Sequence, residues 1–150
     1  MLNYECRENV ACSSKCYAQH FRDIALKRNF GGKNHGAGVS KRGSYKGYWC
    51  DSTYELVYII YNLDHNIKFK RNTQGFEYVY DGTSHIYYPD FILEDGTFVE
   101  IKGYFSDRDK IKLQSVSSKI ILLMEDDLNY AFDYVKSNYV YHDLWDLYDN

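Results

Sequence analysis

The pattern of apolar and polar positions changes character near Tyr48. Before it, residues 29–47 are dominated by Gly, Asn, Lys and Ser, with glycines at 31, 32, 36, 38, 43 and 47. Such composition reads as loop or linker. From Ser52 the period is helical: Leu56, Ile59, Ile60 and Leu63 fall on one face of a helix over 52–63. Ser52-Thr53-Tyr54-Glu55 has the form of a capping box, in which Glu55 reaches back to the Ser52 amide. Over 67–104 the period shortens to two. Ile67 to Lys70, Phe76 to Tyr80 and His85 to Tyr88 read as strands, the last two flanking a turn at Asp81-Gly82. Ser106 is placed to cap a short helix over 107–117, with Asp107 and Asp109 in its first turn. Residues 119–124, KIILLM, read as a buried strand, and Leu128, Phe132, Val135 and Tyr139 mark a last helix. The predicted order from residue 52 is α-β-β-β-α-β-α.

The stretch YYPDFILEDGTFVEIKGY, residues 87–104, sets charges into an apolar hairpin. It contains the chain's single proline, Pro89, followed by Asp90, and then Glu100-Ile101-Lys102. Side chains alternate along a strand, so Glu100 and Lys102 share one face and Thr97, Val99 and Ile101 the other. The face taken by Asp90 depends on the turn. A two-residue loop at Asp95-Gly96 would set Asp90 opposite Ile101. A three-residue loop, Glu94-Asp95-Gly96, pairs Leu93 with Thr97 and sets Asp90 opposite Glu100 and Tyr88 opposite Lys102. Gly96 suits the left-handed third position of such a loop. This register also collects Phe91, Leu93, Val99 and Ile101 on one face, so it is the one predicted.

Two carboxylates facing each other repel, and one takes up a proton unless a cation lies between them. Hard divalent cations such as Mg²⁺ favour oxygen ligands of this kind. Lys102, on the same face, is placed to orient a water or to meet charge on a phosphate. These are the parts of metal-assisted phosphodiester hydrolysis. The structural alternatives are a Pro-Asp turn at a strand start, an exposed polar strand face for Glu100 and Lys102, and a plain cap for Glu55.

Pro89-Asp90 and Glu100-Ile101-Lys102, after a helix carrying Glu55, resemble the PD-(D/E)XK nuclease superfamily. The runs from Tyr48 to Glu55, Tyr88 to Phe91 and Glu100 to Tyr104 look particularly like its small phage-type and homing-type endonucleases. The resemblance implies an α/β, restriction-endonuclease-like core, α-β-β-β-α-β, with a mixed central sheet. It implies that Asp90 and Glu100 hold Mg²⁺, for which Mn²⁺ would substitute, with the Ile101 carbonyl as a further ligand. Lys102 would position the attacking water, and Glu55 would help bind a second metal or a water. Gln114 or Lys110, on the following helix, would reach the site.

Length and composition fit this reading. The 150 residues suffice for one domain with a core, and 45% apolar with 26% charged residues is ordinary for a soluble protein. No apolar run is long enough to span a membrane and no signal-peptide hydrophobic region is seen, so a cytoplasmic setting, bacterial or phage-infected, is expected. The net charge is −3, yet Lys27, Arg28, Lys33, Lys41, Arg42 and Lys46 fall in a stretch, residues 24–50, that has no acid. That stretch is either an arm along a DNA backbone or a solvated linker. Cys6, Cys12, Cys16 and His20 offer four ligands suited to tetrahedral Zn²⁺, although their spacing is not a standard finger; the alternative is free thiols. Cys50 reads as a small buried residue. His35, His65, His85 and His142 form no catalytic pattern.

The expected organisation is therefore a Cys/His extension over 1–23, a basic Gly-rich linker over 24–47 and a nuclease core over 48–150. The expected activity is Mg²⁺-dependent DNA endonuclease cleavage, one strand per active site, so that a double-strand cut needs a homodimer or two nicks. A structure-specific nuclease acting on branched DNA, or a non-catalytic DNA-binding module, is the alternative.

Overall fold

The computed structural model describes residues 41–149. The zinc set Cys6, Cys12, Cys16 and His20, the basic residues Lys27, Arg28 and Lys33, and the extension over 1–23 lie outside the described residues. None of the described helices is long and apolar enough to cross a membrane.

Over the described residues the fold is mixed α/β, with three α-helices and a mixed central sheet. Helix α1, Thr53–Asp64, begins where Ser52 leaves the extended conformation and its hydroxyl accepts the Glu55 N–H at 3.3 Å. The Glu55 carboxylate reaches back one residue further than the capping-box pattern predicts, accepting from the Asp51 amide at 3.2 Å. Strands β3 (Phe69–Arg71), β6 (Phe91–Leu93), β7 (Phe98–Lys102) and β8 (Ile120–Met124) form one sheet in that order. β6 runs antiparallel to both β3 and β7, and β8 is parallel to β7, across helix α2, Asp107–Ser115. Helix α3, Asn129–Asn138, follows β8.

The sheet is covered on both faces. Phe91, Val99 and Ile101 point to the side of α1 and α3, where they pack with Leu56, Ile59, Ile60, Ala131 and Val135. Phe98, Ile120, Leu122 and Met124 point to the other side, against Leu113 of α2 and Phe76, Tyr78 and Tyr87. Those last three belong to β4 (Phe76–Tyr80) and β5 (Thr83–Tyr87), which pair only with each other. The strand-like stretch thus supplies a separate hairpin lying on α2's side, not two further strands of the sheet. Another hairpin, β1 (Gly43–Tyr45) with β2 (Tyr48–Cys50), begins inside the stretch read as linker. It is held by the buried Tyr45 ring and by the Asp149 amide, which donates to the Ser44 carbonyl at 2.7 Å. Gly43 faces the Tyr148 ring so closely that a Cβ would lie 2.3 Å from it. Cys50 is fully buried, as expected.

The β6–β7 register is the predicted one. Phe91 pairs with Val99 and Ile92 with Phe98, and the Leu93 amide donates to Thr97 at 2.8 Å. Gly96 closes the three-residue loop at φ +86°, with open space where a Cβ would sit. Gly96→Ala should therefore cost about 1–3 kcal/mol through backbone strain alone, with no clash. Urea unfolding would check this, and an unchanged midpoint would contradict the loop conformation.

Candidate active site

The hairpin register sets Asp90 across from Glu100 at the end of the sheet where β6 begins and β7 ends. The reason the ladder stops there is chemical. The hydrogen-bonded pairs run Leu93/Thr97, then Phe91/Val99, and would continue at Pro89/Ile101. Proline has no N–H to donate to the Ile101 carbonyl. The Pro89 carbonyl is taken by the Asn72 side chain at 3.0 Å, and the Ile101 N–H turns instead to Asp90 Oδ2 at 2.8 Å. The single proline thus ends the pairing, frees the Ile101 carbonyl from the ladder and seats the Asp90 carboxylate.

Glu100 is 3% exposed, and its Oε2 is buried with no hydrogen-bond partner of ordinary geometry. Its Oε1 lies 3.0 Å from Lys102 Nζ. Burial pushes the Glu100 carboxyl up, against the opposing pull of Lys102 and the Tyr87 hydroxyl. Asp90 is pushed well above the usual carboxylate range, first by burial, then by Glu100 and by Glu55; the Ile101 amide works the other way. Two neighbouring carboxylates, both resisting ionisation, with one buried oxygen lacking a hydrogen bond of ordinary geometry, form a donor set that a hard divalent cation fits.

Lys102 bridges Glu100 to Asp109 Oδ1, 3.4 Å away on α2, and Asp109 also meets Lys112 at 3.3 Å. Burial works against the Lys102 charge, but Glu100 and then Asp109 more than offset it, so the ammonium titrates above its ordinary value. Asp109 is fixed by a true capping box: it receives the Ser106 amide at 3.0 Å, and the Ser106 hydroxyl accepts the Asp109 amide at 3.2 Å. The predicted cap at Ser106 therefore also positions a site residue, which the sequence reading placed only in the first turn. Lys110 and Gln114 are exposed, and Asp109 and Lys112 are the α2 residues that reach the site.

Glu55 is buried on α1 and comes to the site through a residue the sequence reading missed. Arg71, on β3, pairs with Glu55 Oε2 and lies 3.9 Å from Asp90 Oδ1. No local motif marks it; its place opposite Phe91 in the sheet is the only signal. Of the remaining basic candidates, Arg42 pairs with Asp51 at 3.6 Å, and Lys41 and Lys46 lie over the rings of Trp145 and Tyr45. Among the described residues His142, Asp143 and Asp146 also cluster, but on the exposed C-terminal turn.

The raised carboxyls make stability depend on pH. A carboxyl with a raised folded pKa binds protons in the folded state where the unfolded chain does not, so stability falls as pH rises through that folded value. The metal-free protein should therefore lose stability as pH rises above the ordinary carboxylate range, where the unfolded chain has already ionised. Asp90→Asn should flatten the curve and raise stability at neutral pH. Calorimetric melting across pH would test this; an equally steep curve for the variant would rule out Asp90 as its source.

A family model described as phage endonuclease I matches residues 41–141, a span that runs from the first hairpin through α3 and holds Glu55, Arg71, Asp90, Glu100, Lys102 and Asp109. Neither the curated proteins nor the solved structures give a match. The match covers well over half of the chain, and its described function is one that the carboxylate-and-lysine hairpin can serve: the chain belongs to the phage endonuclease I family and is an endonuclease.

Proposed function

We propose that this endonuclease is a Mg²⁺-dependent enzyme of the PD-(D/E)XK type that hydrolyses DNA phosphodiester bonds through Asp90, Glu100 and Lys102. The observation that carries the reading is the pair of half-buried Asp90 and buried Glu100 facing each other across the hairpin, with Glu100 Oε2 lacking a hydrogen bond of ordinary geometry. The succession α1-β3-β6-β7-α2-β8, with β7 and β8 parallel and helices on both faces, supports a restriction-endonuclease-like core.

Asp90, Glu100 and the Ile101 carbonyl would hold the divalent ion. Such an ion, when bound, supplies Lewis-acid stabilisation of phosphoryl charge and a water more readily deprotonated. Lys102, kept charged by Glu100 and Asp109, directs the attacking water and meets charge that develops on the phosphate. Asp109 fixes the ammonium's position through the α2 cap. Each chain carries one such site, so a double-strand cut would take a homodimer or two successive nicks.

Plasmid nicking tests the reading. Supercoiled DNA should be cut with Mg²⁺ or Mn²⁺ and left intact in EDTA, and Glu100→Gln should not cut. DNA binding without cleavage under any metal would favour a binding module instead.

A second reading, cleavage of branched DNA by shape, draws on exposed aromatics beside the site. Trp49, Tyr88 and Tyr104 are 54%, 56% and 73% exposed, and Tyr88 and Tyr104 lie two residues from Asp90 and Lys102. Exposed rings of this kind stack on bases that have left a duplex. Faster cutting of a four-way junction than of linear duplex would select this reading, and equal rates would discard it.

A further inference from the structure

Arg71 is held more tightly than a residue on a short edge strand needs to be. Its Nε donates to the Trp49 carbonyl at 2.9 Å, and its Nη2 meets both that carbonyl and Glu55 Oε2. Its Nη1 donates to the Asp90 carbonyl at 3.5 Å, and its guanidinium carbon lies 4.4 Å from the centre of the Phe91 ring. A planar fork bound on its edges and stacked on a face has little freedom left. The guanidinium therefore stands as a fixed positive charge between the helix acid Glu55 and the hairpin acid Asp90.

Charge balance gives this position a consequence. The acids gathered at the site are Glu55, Asp90, Glu100 and Asp109, and the cations are Arg71, Lys102 and Lys112. Together they carry formally one negative charge. Asp51 and Arg42, at the rim, offset each other. Cys50, beside Glu55, is held neutral by burial, which raises its thiol to about 12. One divalent ion leaves the site one charge positive, which one phosphodiester neutralises. A second ion would leave the loaded site doubly positive. Glu55 Oε2, moreover, is already taken by Arg71 and by the Asp51 amide at 3.2 Å.

We propose that Arg71 is a built-in substitute for a second metal ion: it fills the cation position between Glu55 and Asp90, limits the site to one divalent ion at Asp90 and Glu100, and keeps Glu55 out of the ligand set as a positioning acid. The proposal rests on the metal-dependent reading above. It makes Arg71 a positioning residue whose removal changes how many ions the protein holds.

The test counts Mn²⁺ bound per chain, by titration followed in electron paramagnetic resonance, without DNA. Wild type should bind about one ion, and Glu100→Gln should lose it. Arg71→Met should bind about two, as Glu55 becomes available, with the spin coupling of ions about 4 Å apart. Adding Glu55→Gln to that variant should return the count to about one. Arg71→Lys, which keeps the charge, should also bind about one. Two ions on wild type, or one on a folded Arg71→Met, would overturn the proposal while leaving the metal-dependent reading intact.

Removing Arg71 leaves Glu55 buried without its partner and threatens folding. The Glu55→Gln single variant therefore decides independently. It should keep one ion, and loss of that ion would place Glu55 among the ligands and overturn the proposal. No Mn²⁺ on wild type, together with cleavage that EDTA does not stop, is the distinct signature of failure of the metal-dependent reading itself.

Discussion

Lys102→Met is expected to lower single-turnover DNA cleavage by about 10³-fold or more while leaving DNA affinity within a few-fold of wild type. Among the described residues the side chain is the one ammonium paired with the buried carboxylate Glu100, at 3.0 Å, and its charge is secured by Glu100 and Asp109 together. A charge fixed in this way requires no reorganisation when charge develops on a phosphate, which is the condition for a large electrostatic effect. Methionine keeps most of the stem's volume, so packing is preserved. Without the ammonium, Glu100 is driven further towards its protonated form, since burial already raises its pKa and Lys102 is the main opposing influence. Circular dichroism and binding measured in EDTA would establish that the variant is folded and engages DNA. Cleavage within tenfold of wild type would remove Lys102 from the chemistry.

The largest effect on stability is expected at Phe91, where Ala should cost about 3–5 kcal/mol. Phe91 is fully buried on β6, with Tyr58 of α1 and Phe69 of β3 at centroid distances of 5.1 Å and 5.7 Å. It joins the helix, the edge strand and the hairpin in one cluster. It also supports the Arg71 guanidinium. The variant should therefore unfold at lower urea and, under conditions where it remains folded, cut more slowly, because Arg71 and Asp90 lose their common platform. A loss below about 1 kcal/mol would show that the pocket collapses around the missing ring.

Much of the active hairpin was legible because its determinants are local. Pro89, the alternation from Phe91 to Lys102 and the left-handed Gly96 all lie within one turn and its two strands. They select a single register, and a one-residue slip would have moved every side chain to the wrong face. Helix starts at Ser52 and Ser106 were legible for the same reason, since a cap acts over three residues. The four-strand succession was only partly legible. Phe76 to Tyr80 and Thr83 to Tyr87 alternate as well as any strand, yet alternation reports that one face is buried and not which neighbour it is buried against.

By itself, then, the sequence determined the three helices, most of the strands from residue 67 on, the β6–β7 register and the confrontation of Asp90 with Glu100 across it. Only the tertiary structure decided that β4 and β5 stand apart from the sheet, that β1 joins the folded domain, and that Arg71 and Asp109 enter the site. Arg71 meets Trp49 and Asp90 across separations of 22 and 19 residues, through contacts between elements with no shared period. Such contacts are chosen by how buried faces fit together and by which charges must be paired once buried. Those conditions exist only after the helices and strands have been assembled.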